Sequence, residues 1–293
     1  VNLKQALIPA GNRLSALKDI DDPAFEAEVL LRQALQIDRT QLHLNLFKEL
    51  SEQECRSFFE LIERRRQGEP TAYITGHREF YGLDFKVDPR VLIPRPETEL
   101  LVEEALKFAG NDYVNTIADI GCGSGAVVIS LAVHLNKLRS PVPESKPPQI
   151  YAVDISAAAL ACARENARRH GVEQRIQFLP GDLLAALPEP VDLLTANLPY
   201  VKTAEVAAMP SAQYEPLAAL DGGQDGLDQI RRLTAQLKGK LRPSGCAMLE
   251  VGLGQARIVA AMLQTVFTTA PVEVLPDLAG IERAVKIILP PAG

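Results

Sequence analysis

The sequence predicts an α/β protein, a mostly parallel sheet covered by helices on both faces, ending in an antiparallel hairpin and preceded by a small helical domain. Three observations predict it. From about residue 115 short apolar runs alternate with helical stretches, a glycine-rich turn joins the first run to a helix, and the first 75 residues carry helical periodicity. A chain of 293 residues has room for one large domain and an accessory one, and 47% apolar residues supply a core without a disulfide or metal staple.

In residues 1–75, Leu3, Leu7, Leu14 and Leu17 recur near a 3.6 period. Asp22-Pro23 opens a second run with Phe25, Val29, Leu30 and Leu35, and Ser51 with Glu54 forms a capping box before Phe58, Leu61 and Ile62. Residues 76–95 read as a β-hairpin linker. Leu83, Phe85 and Val87 alternate with Asp84, Lys86 and Asp88 as a half-buried strand over 79–87, and Arg90-Val91-Leu92-Ile93 is its expected partner. Pro96 then starts a helix with Glu97 and Glu99 in its first turn, opening a large domain over 96–293.

Strands are expected at 116–120, 150–154, 176–179, 191–196 and 246–251, with helices at 126–135, 157–170 and 227–241. The last two strands, 272–275 and 284–288, are separated by a loop too short for a helical crossover, so they pair antiparallel. Residues 137–149, with Pro141, Pro143, Pro147 and Pro148, read as an extended surface insertion.

Charge and cysteine usage exclude several classes. A net charge of −6 argues against extended contact with bare DNA, which favours a basic stripe. The run Arg64-Arg65-Arg66 suits the negative end of a helix. Cys55, Cys122, Cys162 and Cys246 are far apart, without the spacing of a disulfide framework or zinc knuckle, and fit a reducing compartment. With no apolar run near membrane-spanning length and no signal-peptide pattern, a cytoplasmic protein is expected, without metal or membrane contact.

The chemistry begins at Asp119-Ile120-Gly121-Cys122-Gly123-Ser124-Gly125, between a strand and a helix. Its glycines let the backbone approach a ligand, and the helix behind offers free N–H groups. With Ala126 the run also satisfies G-x-G-x-x-A, so it suits either a dinucleotide or another adenosine cofactor. Asp154, ending the second strand, can accept both hydroxyls of a ribose, although Asp154 or Ser156 could instead cap the next helix. After the third strand, Asp182 can accept an adenine amine while Leu183 lies against the ring. The deciding motif is Asn197-Leu198-Pro199-Tyr200, directly after the fourth strand. The Asn197 side-chain oxygen and the Leu198 carbonyl can each accept one hydrogen of a planar N–H₂ group, with Tyr200 packed on its plane.

On these residues the chain resembles the release-factor glutamine methyltransferases, the PrmC or HemK family. The resemblance runs through Gly68-Glu69-Pro70-Thr71-Ala72-Tyr73, Leu92-Ile93-Pro94-Arg95-Pro96-Glu97-Thr98-Glu99, the glycine loop, and Asn197-Leu198-Pro199-Tyr200. It continues through Tyr214-Glu215-Pro216-Leu217, Asp225-Gly226-Leu227, Leu249-Glu250-Val251-Gly252 and Gly280-Ile281-Glu282-Arg283. It implies a class I S-adenosylmethionine-dependent methyltransferase, a Rossmann-like seven-stranded sheet behind an N-terminal substrate-docking bundle. Such an enzyme methylates the glutamine of a Gly-Gly-Gln loop in bacterial peptide chain release factors. The resemblance implies that Gly121, Cys122, Gly123, Ser124, Gly125, Asp154 and Leu183 contact S-adenosylmethionine. It also implies that Asn197 touches both ligands and that Asn197, Leu198, Pro199 and Tyr200 hold the substrate glutamine. Leu198 stands where the family usually has proline, so one φ lock is lost and a looser turn is expected. The chain's own Gly222-Gly223-Gln224 reads as a flexible loop.

No paired histidines or Ser-His-Asp set supply a general base, so catalysis by placement is expected, from a monomer, with Asn197 and Tyr200 as the catalytic pair. An exocyclic-amine methyltransferase acting on nucleic acid is the alternative, disfavoured by the acidic balance. An NAD-dependent oxidoreductase would leave residues 197–200 and the terminal hairpin without a purpose, and a non-catalytic binding module would leave the whole constellation without one.

Overall fold

The computed structural model describes residues 1–17, 20–111, 114–138 and 147–292, so most of the proline-rich insertion, residues 139–146, lies outside the described residues. The chain divides into two compact units, Val1–His77 and Arg78–Gly293.

The first unit is helical: α1 (Leu3–Leu14), α2 (Pro23–Leu35), α3 (Arg39–Leu44), α4 (Glu52–Arg66) and α5 (Thr71–Thr75). Its starts are chemically marked. Asn2 with Gln5, Asp38 with Gln41 and Ser51 with Glu54 each close a capping box, and Pro23 stands in the first turn of α2 behind the Asp22 cap. Leu3, Leu14, Leu30, Phe58 and Ile62 are fully buried in its core. Phe25 is not a core residue; it stays half exposed beneath the Arg39 guanidinium, 5.6 Å from the ring centroid.

A hairpin follows whose strands differ from the expected ones. β1 (His77–Phe80) pairs with β2 (Leu83–Lys86), and Tyr81-Gly82 make the turn at φ 51° and 71°. Two successive left-handed residues are the signature of a tight hairpin turn, so 79–87 is not one strand. The 90–93 segment is not its partner either: the Val91 N–H donates to the Asp88 carbonyl, and Arg90 pairs with Asp88 and Glu165. The alternation itself holds, with Phe85 and Val87 buried between exposed Asp84 and Lys86.

Next come a 3-10 turn (Pro96–Thr98), α6 (Glu99–Asn111), β3 (Thr116–Ile120), α7 (Ala126–Leu138), β4 (Gln149–Asp154), α8 (Ala157–Arg169), β5 (Ile176–Pro180) and β6 (Val191–Ala196). The chain closes with α9 (Thr203–Val206), α10 (Asp228–Gln236), β7 (Leu241–Glu250), α11 (Ala256–Val266), β8 (Val272–Pro276) and β9 (Glu282–Ile288). The seven strands follow the order β5-β4-β3-β6-β7-β9-β8. β5 to β7 are parallel, and β9 runs antiparallel to both β7 and β8. β7 begins before its apolar run because the β6–β7 register shifts between Val191 and Leu193, admitting residues 242–245 as a bulge.

Every residue of β3 is buried, as a central parallel strand covered on both faces requires. Its alternation divides the core. Ile117 packs with Val128, Leu160 and Leu101 from the helices of one face, whereas Ala118 and Ile120 pack with Ile230, Leu233 and Val259 from the other. β3 pairs with both β4 and β6, so the strand order reverses there. The loops after β3 and β6 therefore flank the crevice at the carboxyl ends, where open α/β sheets take ligands.

Candidate active site

Four turns line that edge, and their backbones are tied to one another. The Gly121 and Cys122 N–H groups donate to the Val153 carbonyl at 2.8 and 3.0 Å, extending the β3–β4 ladder into the glycine loop. Gly123 N–H donates to Asp154 Oδ2 at 2.9 Å, and the Gly181 N–H donates to the Asp154 carbonyl at 3.1 Å. Asp154, the glycine loop and the β5 turn are thus neighbours.

Gly121 sits at φ 72°, and a β-carbon there would lie 3.0 Å from Leu198 Cδ2. The glycine loop and the turn after β6 therefore touch, with the Leu198 side chain as the point of contact. Leu198 is buried within the core of that face.

The residues fit an adenosine cofactor. A β-carbon on Gly123, at φ 54°, would meet nothing within 4 Å, so the loop is open on that side. Asp154 Oδ1 accepts the Ser156 N–H at 2.8 Å, and each carboxylate oxygen keeps a lone pair for a ribose hydroxyl. Burial raises the Asp154 pKa, and the Ser156 and Gly123 N–H groups oppose that shift. Capping of α8 falls to Ser156, whose hydroxyl accepts the Ala159 N–H. Leu183 is buried at the β5 turn with φ 52°, whereas Asp182 is about half exposed and paired with Arg232 of α10 at 2.5 Å. Cys122 is buried, and desolvation, then the nearby Asp154 and Asp119, push its thiol well above the ordinary range, so it is not a nucleophile. Ser124 is buried too, and its carbonyl accepts Asn166 Nδ2 at 2.9 Å. Among the described residues no group of three or more His, Cys, Asp or Glu side chains is arranged to hold a metal ion.

At the turn after β6, Asn197 Nδ2 donates to the buried Thr98 hydroxyl at 3.0 Å. Among the described residues nothing donates to Asn197 Oδ1 or to the Leu198 carbonyl. Tyr200 donates its phenol to Glu250 Oε1 at 3.2 Å. Burial and the Glu250 charge raise the Tyr200 pKa, which keeps the phenol protonated. The Tyr200 carbonyl accepts Gln255 Nε2 at 3.0 Å, and Gln255 Oε1 accepts the Gly252 N–H at 2.8 Å. The Gly222-Gly223-Gln224 segment is part of this scaffold and not a free loop. Gly222 N–H donates to the Val201 carbonyl at 2.8 Å, and the Thr203 N–H donates to the Gly223 carbonyl at 3.0 Å.

Sequence reasoning missed the residues beneath the turn. Glu250, 2% exposed, accepts the Tyr200 phenol, and Thr98, 5% exposed, accepts Asn197. Glu215 accepts Arg95 Nη2 at 2.6 Å and the Ile93 N–H at 3.2 Å, joining two distant segments. Arg283 reaches Glu97 at 3.8 Å. Each lies in a segment quoted above for the resemblance, but spacing along the chain carries no sign of which segments meet.

The PrmC N-terminal domain family matches residues 5–76, and a methyltransferase domain family matches residues 114–236. The release factor glutamine methyltransferase of Moorella thermoacetica is 44% identical over 285 residues, covering 97% of this chain and 97% of its own. The protein of the same description from Nitratidesulfovibrio vulgaris is 38% identical over 287 residues, covering 96% of this chain and 93% of its own. Among solved structures, a methyltransferase from Pyrococcus furiosus aligns with a TM-score of 0.51 over 72% of this chain and 91% of its own, and at 13% identity it speaks for the fold alone. Among the described residues no helix is long and apolar enough to cross a membrane.

Proposed function

Because the chain belongs to the release factor glutamine methyltransferase family, we propose that it methylates the side-chain amide of the Gly-Gly-Gln glutamine in a peptide chain release factor, with Asn197 and Leu198 gripping that amide. One observation carries the residue assignment. The Asn197 nitrogen is committed to Thr98, which leaves its Oδ1 beside the Leu198 carbonyl as a pair of acceptors, and the same turn touches the cofactor loop at Gly121.

S-Adenosylmethionine supplies an electrophilic methyl group on a sulfonium. The chain's own residues do the rest by placement. Gly121, Cys122, Gly123, Ser124 and Gly125 give the backbone cradle, Asp154 takes the ribose hydroxyls, and Leu183 backs the adenine. Asp182 accepts the adenine amine while sharing its carboxylate with Arg232. A carboxamide nitrogen is a weak nucleophile because its lone pair is delocalised. Holding both its hydrogens on Asn197 Oδ1 and the Leu198 carbonyl, with Pro199 shaping the turn and Tyr200 against the amide plane, aims the lone pair at the methyl group. Orientation of this kind contributes roughly 7–11 kcal/mol to the barrier reduction. The two acceptors also stabilise the positive charge that grows on nitrogen before its proton passes to water. The first unit exposes Ile8, Leu44 and Phe47, and it serves as the docking domain for the protein substrate. A translation factor as substrate puts the enzyme in the cytoplasm.

Mass spectrometry tests this reading. Release factor incubated with enzyme and S-adenosylmethionine should gain one methyl group on the Gly-Gly-Gln glutamine, and Asn197→Ala should abolish most of that gain while leaving the fold intact. Methyl transfer to nucleic acid and none to release factor would overturn it.

A further inference from the structure

Tyr200 is pinned at three points, all supplied by residues 250–255, the end of β7 and the turn into α11. Its phenol donates to Glu250 Oε1 at 3.2 Å. Its carbonyl accepts Gln255 Nε2 at 3.0 Å. Its ring edge rests on the Gly252 backbone, where a β-carbon would lie 3.1 Å from Tyr200 Cδ2. Three points define a plane. The two ring contacts fix the rotation of the side chain, and the bond to the carbonyl fixes the backbone from which that side chain departs.

Gln255 stands at the N-cap of α11, yet its side chain makes no capping bond there. It is spent on the site instead. Oε1 accepts the Gly252 N–H at 2.8 Å, so the other end of the amide, Nε2, carries its donors toward Tyr200. That nitrogen reaches the Tyr200 carbonyl and, at 3.4 Å, the Gly226 carbonyl. Two glycines make the room. A β-carbon at Gly226, which sits at φ 78°, would overlap the Tyr200 carbonyl oxygen and lie 2.7 Å from Gln255 Nε2; one at Gly252 would lie 2.9 Å from Gln255 Oε1. Gln255 is 8% exposed, so an apolar side chain would suit its burial, but it would leave the Gly252 N–H and the Tyr200 carbonyl without these bonds.

We propose that Gln255 is a positioning residue for methyl transfer: by holding the Tyr200 carbonyl it sets the plane of the Tyr200 ring, and through that ring the plane of the substrate carboxamide. The inference rests on the reading of residues 197–200 as the amide-binding turn with Tyr200 against the amide plane. Gln255 touches neither substrate nor cofactor in this scheme. A carboxamide whose two hydrogens are held by Asn197 Oδ1 and the Leu198 carbonyl can still pivot about the line joining those acceptors. The ring removes that pivot. The nitrogen lone pair, perpendicular to the amide plane, then keeps its aim at the methyl group.

The test is a double-mutant cycle in which Gln255→Glu is made alone and together with Tyr200→Ala. The readouts are kcat and KM for release factor, S-adenosylmethionine affinity and melting temperature. The glutamate fills the same volume and keeps an acceptor for the Gly252 N–H, but it sets a carboxylate oxygen against the Tyr200 carbonyl in place of a donor. It should bind the cofactor as the wild type does and lose roughly 10–100-fold in kcat at saturating release factor. Combined with Tyr200→Ala, which has no ring to misplace, it should cost nothing further. A general weakening of the fold would slow both backgrounds alike. Wild-type kcat in Gln255→Glu overturns the proposal, and so do losses that multiply across the cycle. Should Gln255→Glu not fold, the uncharged Gln255→Met takes its place in the same cycle, with the same outcomes deciding. A slow Tyr200→Ala alongside a fully active Gln255→Glu sinks this inference and leaves the amide-binding reading standing; a fully active Tyr200→Ala sinks the role read for the ring and this inference with it.

Discussion

Leu198 does two jobs at the residue scale. Its carbonyl belongs to the proposed amide grip, and its side chain is the contact between the turn after β6 and the glycine loop, with Cδ2 3.0 Å from where a Gly121 β-carbon would stand. The two jobs separate on mutation. Leu198→Ala keeps the carbonyl and removes the contact, so it should cost about 2–4 kcal/mol in urea unfolding and weaken S-adenosylmethionine binding in titration calorimetry. Unchanged cofactor affinity would show that the two loops are held in place independently. The sequence shows both loops and leads one to expect a ligand at each. It cannot show that they touch, because residues 121 and 198 meet only through the pairing of β3 with β6.

Between elements, Asn166 of α8 is a clamp. Fully buried, it accepts the Lys86 N–H at 2.8 Å and donates from Nδ2 to the Lys86 carbonyl at 3.0 Å and the Ser124 carbonyl at 2.9 Å. One side chain thereby ties the hairpin, α8 and the glycine loop together. Asn166→Leu would strand three backbone polar groups at about 1–3 kcal/mol each, so a loss of several kcal/mol is expected, with faster hydrogen exchange at Lys86 as its local sign. A stability loss below about 1 kcal/mol would mean that water replaces the clamp. The strands of the sheet were largely legible because a buried parallel sheet writes continuous apolar runs. The hairpin was misread because Tyr81 supplies a left-handed turn residue that does not look like one; Gly82 alone resembles an ordinary punctuation in a strand.

For the whole molecule, two buried carboxyl groups tie stability to pH. Asp119 is raised to about 7, chiefly by burial, against the opposing Thr195 hydroxyl and Val128 N–H, and Glu250 to about 7 by burial and Glu97. A carboxyl whose folded pKa lies above its unfolded value favours the fold while protonated. Its contribution is complete below the unfolded value and is lost as pH rises through the folded one, at up to about 1.4 kcal/mol per pH unit for one group. Glu165 runs the other way. Held down to about 2 by Arg90 and Lys86, it contributes above its unfolded pKa and loses that contribution as pH falls through the folded one. The expected outcome is that Asp119→Asn is stabilised relative to wild type at pH 8 more than at pH 5, read from urea midpoints at the two pH values. An equal difference at both would remove Asp119 as a source of the dependence.

The amino-acid order by itself determined the alternation of strands and helices, the closing hairpin and the turns that carry ligand chemistry, since periodicity and glycine or proline placement act over a few residues. Tertiary structure alone decided the contacts under those turns. Thr98 and Asn197 stand 99 positions apart and Ile93 and Glu215 stand 122 apart, and each pair meets only after the sheet has assembled. A buried polar side chain looks the same in the sequence whether it will be capped, paired or left to orient a neighbour; only the burial that folding brings gives it a cost, and its partners give it a role.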